Sequence, residues 1–187
     1  RLTLGARNNV LLFHDPMRPD AAAAVARLAQ MGISASILSG DRAGAVAPVA
    51  STLGLTAQAE ARPEDKLDAI QQLSDAGHRV LMVGDGLNDG PALAAAHVSM
   101  APGSASDVGQ QAADAVFTSD SLLPVALSVV AARRTMAVVK QNFVLAIGYN
   151  VLAVPLALAG LVTPLIAAVA MSLSSIIVVG NALRLNG

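Results

Sequence analysis

The chain has 187 residues, of which 54% are hydrophobic and 13% charged, with a net charge of −1 and no cysteine. That balance excludes a strongly basic nucleic-acid surface, a disulfide framework and a thiolate metal site. The apolar excess is uneven: no Asp, Glu, Lys or Arg occurs from Phe143 to Leu183, which separates an α/β part from a membrane part near Asn142. His14, His78 and His97 lack ligand spacing and read as surface or packing residues. The chain begins at Arg1 with no leader or transit pattern, and its first residues read as the interior of a longer sequence.

Taken in order, Val10–Phe13 is a short apolar run that predicts a strand ending at His14-Asp15-Pro16. A helix follows from about Pro19 to Met31, with Val25, Leu28 and Met31 on one face and Gly32 ending it. Ile33–Leu38 predicts a second strand, closing in Ser39-Gly40-Asp41. A helix from about Arg42 to Leu53 ends at Gly54, and Pro48 inside it predicts a kink or a late start. Ala57–Ala61 is a weak strand. Arg62-Pro63-Glu64-Asp65-Lys66 then opens a helix whose acidic residues suit its positive end, with Leu67, Ile70 and Leu73 as its apolar face and Gly77 as its end.

Val80–Val83 is a further apolar run, stopped by Gly84 and followed by Asp85, Asn88 and Asp89, with Pro91 opening an alanine-rich helix. In parallel α/β sheets ligands bind beyond the carboxyl ends of strands. Two carboxylates four residues apart on a glycine-loosened loop suit Mg²⁺, a hard cation that prefers oxygen. Read alone, Asp85 and Asp89 would also serve as turn formers and an N-cap. Val98–Met100 and Ala115–Phe117 are the last strand signals, and Ser104–Asp107 fits a capping box before a short helix. Strand and helix alternate with glycine or proline at the joints, which predicts an α/β fold: a doubly wound, mostly parallel sheet.

Leu122–Gln141 predicts a long helix carrying Arg133, Arg134 and Lys140. Two apolar blocks follow, Phe143 to about Val162 and Leu165–Leu183, broken at Thr163-Pro164. A helix of about 20 residues spans about 30 Å, the thickness of the hydrocarbon core. The basic residues and Arg184 flank the outer ends of the pair, which places those ends in the cytoplasm. Tyr149 and Asn150 lie mid-span, and Pro155 predicts a kink with free carbonyls near Val151. Met171 and Ser175 share a face of the second span, with Ser172 and Ser174 beside it as helix–helix glue. Neither span holds a carboxylate, and a thioether suits Cu(I) better than a hard divalent ion.

Several of these motifs together resemble one family. Asp15-Pro16-Met17-Arg18-Pro19, Ser39-Gly40-Asp41, Pro63-Glu64-Asp65-Lys66 and Gly84-Asp85-Gly86-Leu87-Asn88-Asp89 occur in the order found in the phosphorylation (P) domain of P-type ATPases, a haloacid dehalogenase-like fold. Tyr149-Asn150, Met171-x-x-x-Ser175 and Asn181–Leu185 resemble the last two membrane helices of the heavy-metal (P1B) branch, and most of all its copper(I)-exporting pumps. Ala101–Ser104 and Gln141–Ile147 look most like the subgroup that supplies copper for cbb3-type oxidase assembly.

The resemblance implies a P-domain part over 1–120, a linker helix over 121–142 and two transmembrane helices over 143–187. It implies Mg²⁺ held by Asp85 and Asp89, Lys66 paired with phosphoryl oxygens, and Ser39 and Asp41 as phosphate contacts. Here Ser39 stands where the family has Thr, and Gly90 where it usually has Ala. Tyr149, Asn150, Met171 and Ser175 would contribute to the site of the transported Cu⁺. It further implies ATP, bound mainly by a domain outside these residues, a multi-pass protein of the cytoplasmic membrane with its P domain in the cytoplasm, lipid and the rest of the pump as partners, and a copper chaperone as a soluble one.

The family's Asp-Lys-Thr-Gly-Thr, Thr-Gly-Glu and Cys-Pro-Cys motifs do not occur in this sequence. The chain is therefore expected to be the C-terminal part of a longer pump and, alone, to hydrolyse no ATP. The competing readings are a membrane-anchored phosphatase, for which Asp15 is the one nucleophile candidate, a pump for zinc or another divalent ion, and a non-catalytic partner of a complete pump.

Overall fold

The computed structural model describes residues 2–4, 7–9, 16–85 and 87–186. The strand expected at Val10–Phe13, its end at Asp15, and Gly86 of the acidic loop lie outside the described residues. The chain forms two compact units, Arg1–Ala126 and Leu127–Gly187.

The first unit opens with an antiparallel pair, β1 (Leu2–Leu4) and β2 (Arg7–Asn9). Helix α1 (Ala21–Gln30) leads to β3 (Ser36–Leu38), α2 (Ala43–Leu53) and β4 (Thr56–Gln58), and β3 pairs with β4 in parallel. Then come α3 (Pro63–Asp75), β5 (Leu81–Val83), α4 (Gly90–Ala95), β6 (Val98–Pro102), α5 (Asp107–Ala112) and β7 (Ala115–Phe117). The last three strands form a parallel ladder in the order β5-β6-β7. Each parallel pair is joined through a helix, as parallel pairing requires. Among the described residues the expected sheet thus appears as two parallel ladders, with α3 between them in sequence and packed against α4.

Small residues let these layers approach closely. Ala92, Ala101 and Ala126 are wholly buried, and Met100, Phe117 and Val125 form a core cluster with Leu81, Val83 and Leu122 against it. Helix α1 buries Ala21 and Ala24 deepest, with Val25, Leu28 and Met31 half-buried on the same side. Helix α2 runs unbroken from Ala43 through Pro48, so the late start does not occur. Its C-cap Gly54 takes the left-handed conformation (φ 65°), which a side chain at that position would resist. Helix α3 departs from expectation. It buries Lys66 and Ile70, whereas Leu73 is exposed.

Helix α6 (Leu123–Leu158) is one continuous element, so the linker helix and the first apolar block are not separate. It stays helical through Pro155 and ends four residues before the expected Val162, at a turn where Gly160 has φ 73°. Helix α7 (Pro164–Leu183) starts with Thr163 as its N-cap, whose Oγ1 accepts the Ile166 N–H. Both helices are long and apolar enough to cross a membrane. Their half-buried positions recur at spacings of three and four: Asn142, Ala146, Tyr149 and Ala153 on α6, and Ala170, Ser174, Val178 and Asn181 on α7. At one end of the hairpin Asn181 Nδ2 donates to Asn142 Oδ1 at 2.9 Å and to Gln141 Oε1 at 3.3 Å.

Candidate functional site

The acidic loop begins where β5 ends. The Gly84 N–H still donates to the Met100 carbonyl, which continues the β5–β6 ladder one residue beyond the strand. Asp85 is exposed, and its carbonyl accepts the N–H of Ser106. Ser106 in turn caps α5, its Oγ accepting the Gly109 N–H at 3.2 Å. This is a simple N-cap, not the capping box read from the sequence, because Gly109 has no side chain with which to reciprocate. A single 3-10 turn, Leu87–Asp89, then returns the chain to α4.

That turn brings Asp89 back beneath Gly84. A Cβ on Gly84 would lie 3.0 Å from the Cβ and Oδ2 of Asp89, closer than side-chain atoms pack, so glycine is the residue this contact admits. The other oxygen, Asp89 Oδ1, lies 2.6 Å from Lys66 Nζ. Both residues are 8% exposed. A buried ammonium is costly unless a counter-charge meets it, and Asp89 meets this one. The pair also explains why a lysine joins the apolar face of α3, since Lys66 lies on the buried side with Ile70, where α3 packs on α4.

Ser39 and Asp41 are held by a separate set of bonds. Ser39 Oγ donates to Asp41 Oδ2 and accepts the Asp41 N–H, both at 3.1 Å. The backbone after β4 fixes this loop: the Glu60 N–H donates to the Asp41 carbonyl at 2.8 Å and the Ala61 N–H to the Ser39 carbonyl at 2.9 Å. Glu60 adopts φ 55°, a left-handed conformation unusual for glutamate. Immediately after, Asp65 Oδ2 accepts the Arg62 N–H at 2.8 Å and the Arg62 Nε–H at 3.3 Å. These bonds from Arg62, backbone first, hold the Asp65 carboxyl below its ordinary value. One short segment, 60–66, thus grips the Ser39–Asp41 loop and presents Lys66 to Asp89.

The structure therefore joins Lys66 to Asp89 and Ser39 to Asp41, with Asp85 exposed at the end of β5. Asp89, read from the sequence as a second Mg²⁺ ligand, is placed as the counter-ion of Lys66. Among the described residues no three His, Cys, Asp or Glu side chains cluster as a metal cage. The donors fit Mg²⁺, which binds through one or two carboxylates and fills its remaining positions with phosphate and water oxygens.

In the second unit Tyr149 is half-buried, on the same stripe as Asn142 and Ala146. Asn150, Met171 and Ser175 are exposed beside the stripes. Asn150 Nδ2 donates to the Ala146 carbonyl at 2.9 Å and Ser172 Oγ to the Ala168 carbonyl at 3.0 Å, each within its own helix. Ser174, read as glue, is half-buried on the α7 stripe.

Sequence reasoning passed over Asp20, Ser121, Glu60 and the Asn142–Asn181 pair. For Asp20 the local signal misleads, because a Pro-Asp before an alanine run reads as the cap of its own helix. For Glu60 no signal exists in the residue type.

The haloacid dehalogenase-like hydrolase family matches residues 3–97. The nitrogen fixation protein FixI of Rhizobium leguminosarum bv. viciae is 58% identical over 176 residues, 94% of this chain and 23% of that protein. A copper-exporting P-type ATPase of Mycobacterium leprae is 46% identical over 182 residues, 97% of this chain and 23% of that protein. A crystal structure of a zinc-transporting PIB-type ATPase in the E2.Pi state superposes with a TM-score of 0.87 at 37% identity, covering 91% of this chain and 28% of that one. The chain spans about a quarter of the length of the curated relatives it matches. It belongs to the haloacid dehalogenase-like hydrolase family and, through these relatives, to the heavy-metal P-type ATPase branch.

Proposed function

We propose that the chain supplies the phosphoryl-binding half of the catalytic site, and two helices of the cation path, in an ATP-driven pump that exports Cu(I) through an aspartyl-phosphate cycle. The observation that carries this reading is the buried Lys66–Asp89 pair at the carboxyl end of β5, beside exposed Asp85. A transferring phosphoryl group concentrates negative charge on its oxygens, and catalysis of its transfer is mainly positioning and charge stabilisation. Asp89 holds the Lys66 ammonium at a fixed point, where it serves as a cation toward those oxygens. Ser39 and Asp41, shaped by the Glu60 and Ala61 amides, would supply further polar contacts to the phosphoryl group. Asp85, and Asp89 through any oxygen left by Lys66, would hold Mg²⁺, which neutralises phosphoryl charge when bound. The accepting aspartate comes from outside these 187 residues: its carboxylate takes the γ-phosphoryl of ATP, ADP leaves, and water later cleaves the acyl phosphate.

Tyr149, Asn150, Met171 and Ser175 supply neutral oxygen and thioether donors to the transported ion. Copper(I) is favoured over zinc by the thioether of Met171 and by the lack of any carboxylate in either apolar block. The basic residues Arg133, Arg134, Lys140 and Arg184 support a cytoplasmic catalytic unit in a bacterial-type inner membrane, from which a soluble copper chaperone would deliver the ion.

The test is ATP hydrolysis by the full-length protein in vesicles, with Cu(I) and Zn(II) supplied separately. Cu(I) stimulation that is lost in Asn150→Ala and Met171→Ala supports the reading. Zn(II) stimulation alone moves the assignment to zinc, and unchanged Cu(I) stimulation in both variants removes these residues from the site. The 187-residue chain on its own is expected to form no phosphoenzyme, and formation of one would overturn the division of labour proposed.

A further inference from the structure

Asp20 occupies the N-cap position of α1 but makes no side-chain capping bond to that helix. Its Oδ2 instead accepts three hydrogen bonds from residues more than 100 positions away: Ser121 Oγ at 2.5 Å, the Leu122 N–H at 2.6 Å and the Leu123 N–H at 3.0 Å. Two residues earlier Arg18 Nη1 donates to the Asp120 carbonyl at 2.5 Å. The three-residue stretch Arg18–Asp20 therefore fastens residues 120–123 at four points. Pro19 between them has a fixed φ, which limits the ways the stretch can give. The carboxylate also lies at the positive ends of two helices, α1 and α6, where negative charge is favoured.

The grip falls where α6 begins. Leu122 and Val125 pack with Met100 and Phe117 at the core of the first unit. From there α6 continues as one helix to Tyr149 and Asn150. Arg18 and Asp20 themselves follow directly on Asp15-Pro16-Met17, the continuation of the first apolar run of the sequence. We infer that Arg18 and Asp20 are positioning residues, a clasp that fixes the base of α6 to the start of α1 and so ties phosphoryl transfer to movement of the cation-bearing helix. The inference rests on the pump reading above.

The experiment uses the full-length protein with ATP and the activating metal ion, and measures three quantities: phosphoenzyme level, metal ions transported per ATP hydrolysed, and hydrogen exchange at the Leu122 and Leu123 amides. Asp20→Ala is expected to keep phosphoenzyme near the wild-type level, to speed exchange at these two amides, and to lower transport per ATP about tenfold, within the usual range of coupling between sites. Asp20→Asn, which keeps an acceptor oxygen, should restore much of the ratio. Ser121→Ala removes the Oγ bond to Asp20 and the bond that the same Oγ accepts from the Leu123 N–H at 3.1 Å, but keeps both amide bonds to Asp20, and supplies a milder variant should Asp20→Ala fail to fold. A purely structural cap would lower phosphoenzyme and transport together and leave their ratio unchanged, which overturns the inference. So does unaltered exchange at Leu122 and Leu123 in Asp20→Ala. Absence of phosphoenzyme from the wild-type protein defeats the pump reading and the coupling with it, while the exchange measurement still decides whether the clasp forms.

Discussion

The two units use their polar side chains in opposite ways. In the first, Lys66 reaches Asp89 across 23 residues and Asp20 reaches Ser121 across 101. Ser99, buried on β6, is likewise satisfied by Asp114, which accepts both its N–H and its Oγ–H. In the second unit Asn150 and Ser172 turn back on carbonyls four residues earlier in their own helices, and the polar bond between α6 and α7 comes from Asn181. The first site is made by tertiary structure and exists only when distant segments meet. The polar side chains Asn150 and Ser172 of the second unit are displayed on helices that form without them. A single change should therefore damage the first site's fold and its chemistry together, whereas in the second the chemistry should fail while the fold stands.

That contrast can be broken in order of expected effect. The largest change should come from Lys66→Ala or Asp89→Ala, each leaving one buried charge uncompensated, at a cost of about 3–5 kcal/mol. Replacing both with apolar residues should recover most of that loss in a denaturant melt, and two additive losses would show that the pair does not interact as placed. Gly84→Ala comes next, since its Cβ would meet the Asp89 carboxylate at 3.0 Å, and about 1–3 kcal/mol is the usual cost of overpacking. Its melt should shift with that of Asp89→Ala, without additivity. In the second unit Asn181→Ala should cost only about 0.6 kcal/mol, typical of an interhelical hydrogen bond within a membrane, measured by unfolding in detergent. Asn150→Ala should leave the melt of the hairpin almost unmoved while metal-stimulated hydrolysis is lost.

The smallest effect is a pH dependence. The hydrogen bond from Ser121, followed by those from the Leu123 and Leu122 amides, holds the Asp20 carboxyl below its ordinary range. A carboxylate depressed in the folded state contributes stability above its unfolded value of about 3.9, and that contribution is lost as pH falls through the lower folded value. Protection of the Leu122 and Leu123 amides should weaken over that acid window. Asp20→Asn should flatten the dependence, and an equal slope in both proteins would remove Asp20 as its source.

Much of the fold was legible because its signals are local. Gly32, Gly54 and Gly77 end helices in left-handed conformations, as their positions after apolar runs suggested. Pro63 and Pro91 lie in the first turns of α3 and α4. The strands after Ser36, Leu81, Val98 and Ala115 fall where short apolar runs stop at turn residues. What was hidden is pairing at a distance. Lys66 lies on the same face of α3 as Ile70 and Leu73, at spacings of four and seven, and is buried there because Asp89 neutralises it, while Leu73, nearer the helix end, is exposed. Pro48 suggests a kink or a late start and Pro155 a kink; both helices continue through their proline, so a missing N–H is tolerated in each. The candidate site was legible as residues but not as wiring: nothing in the sequence pairs Asp89 with Lys66, and nothing local to Glu60 announced that its amide shapes the Ser39–Asp41 loop.

The continuity of α6 has a consequence in simple lever arithmetic. From Leu123 to Asn150 the helix rises about 40 Å at 1.5 Å per residue. A rotation of about 3° at its base would carry Asn150 sideways by about 2 Å over that arm, comparable to a whole metal–ligand bond. An unbroken helix thus enlarges a small tilt at one end into a displacement of bond length about seven turns away.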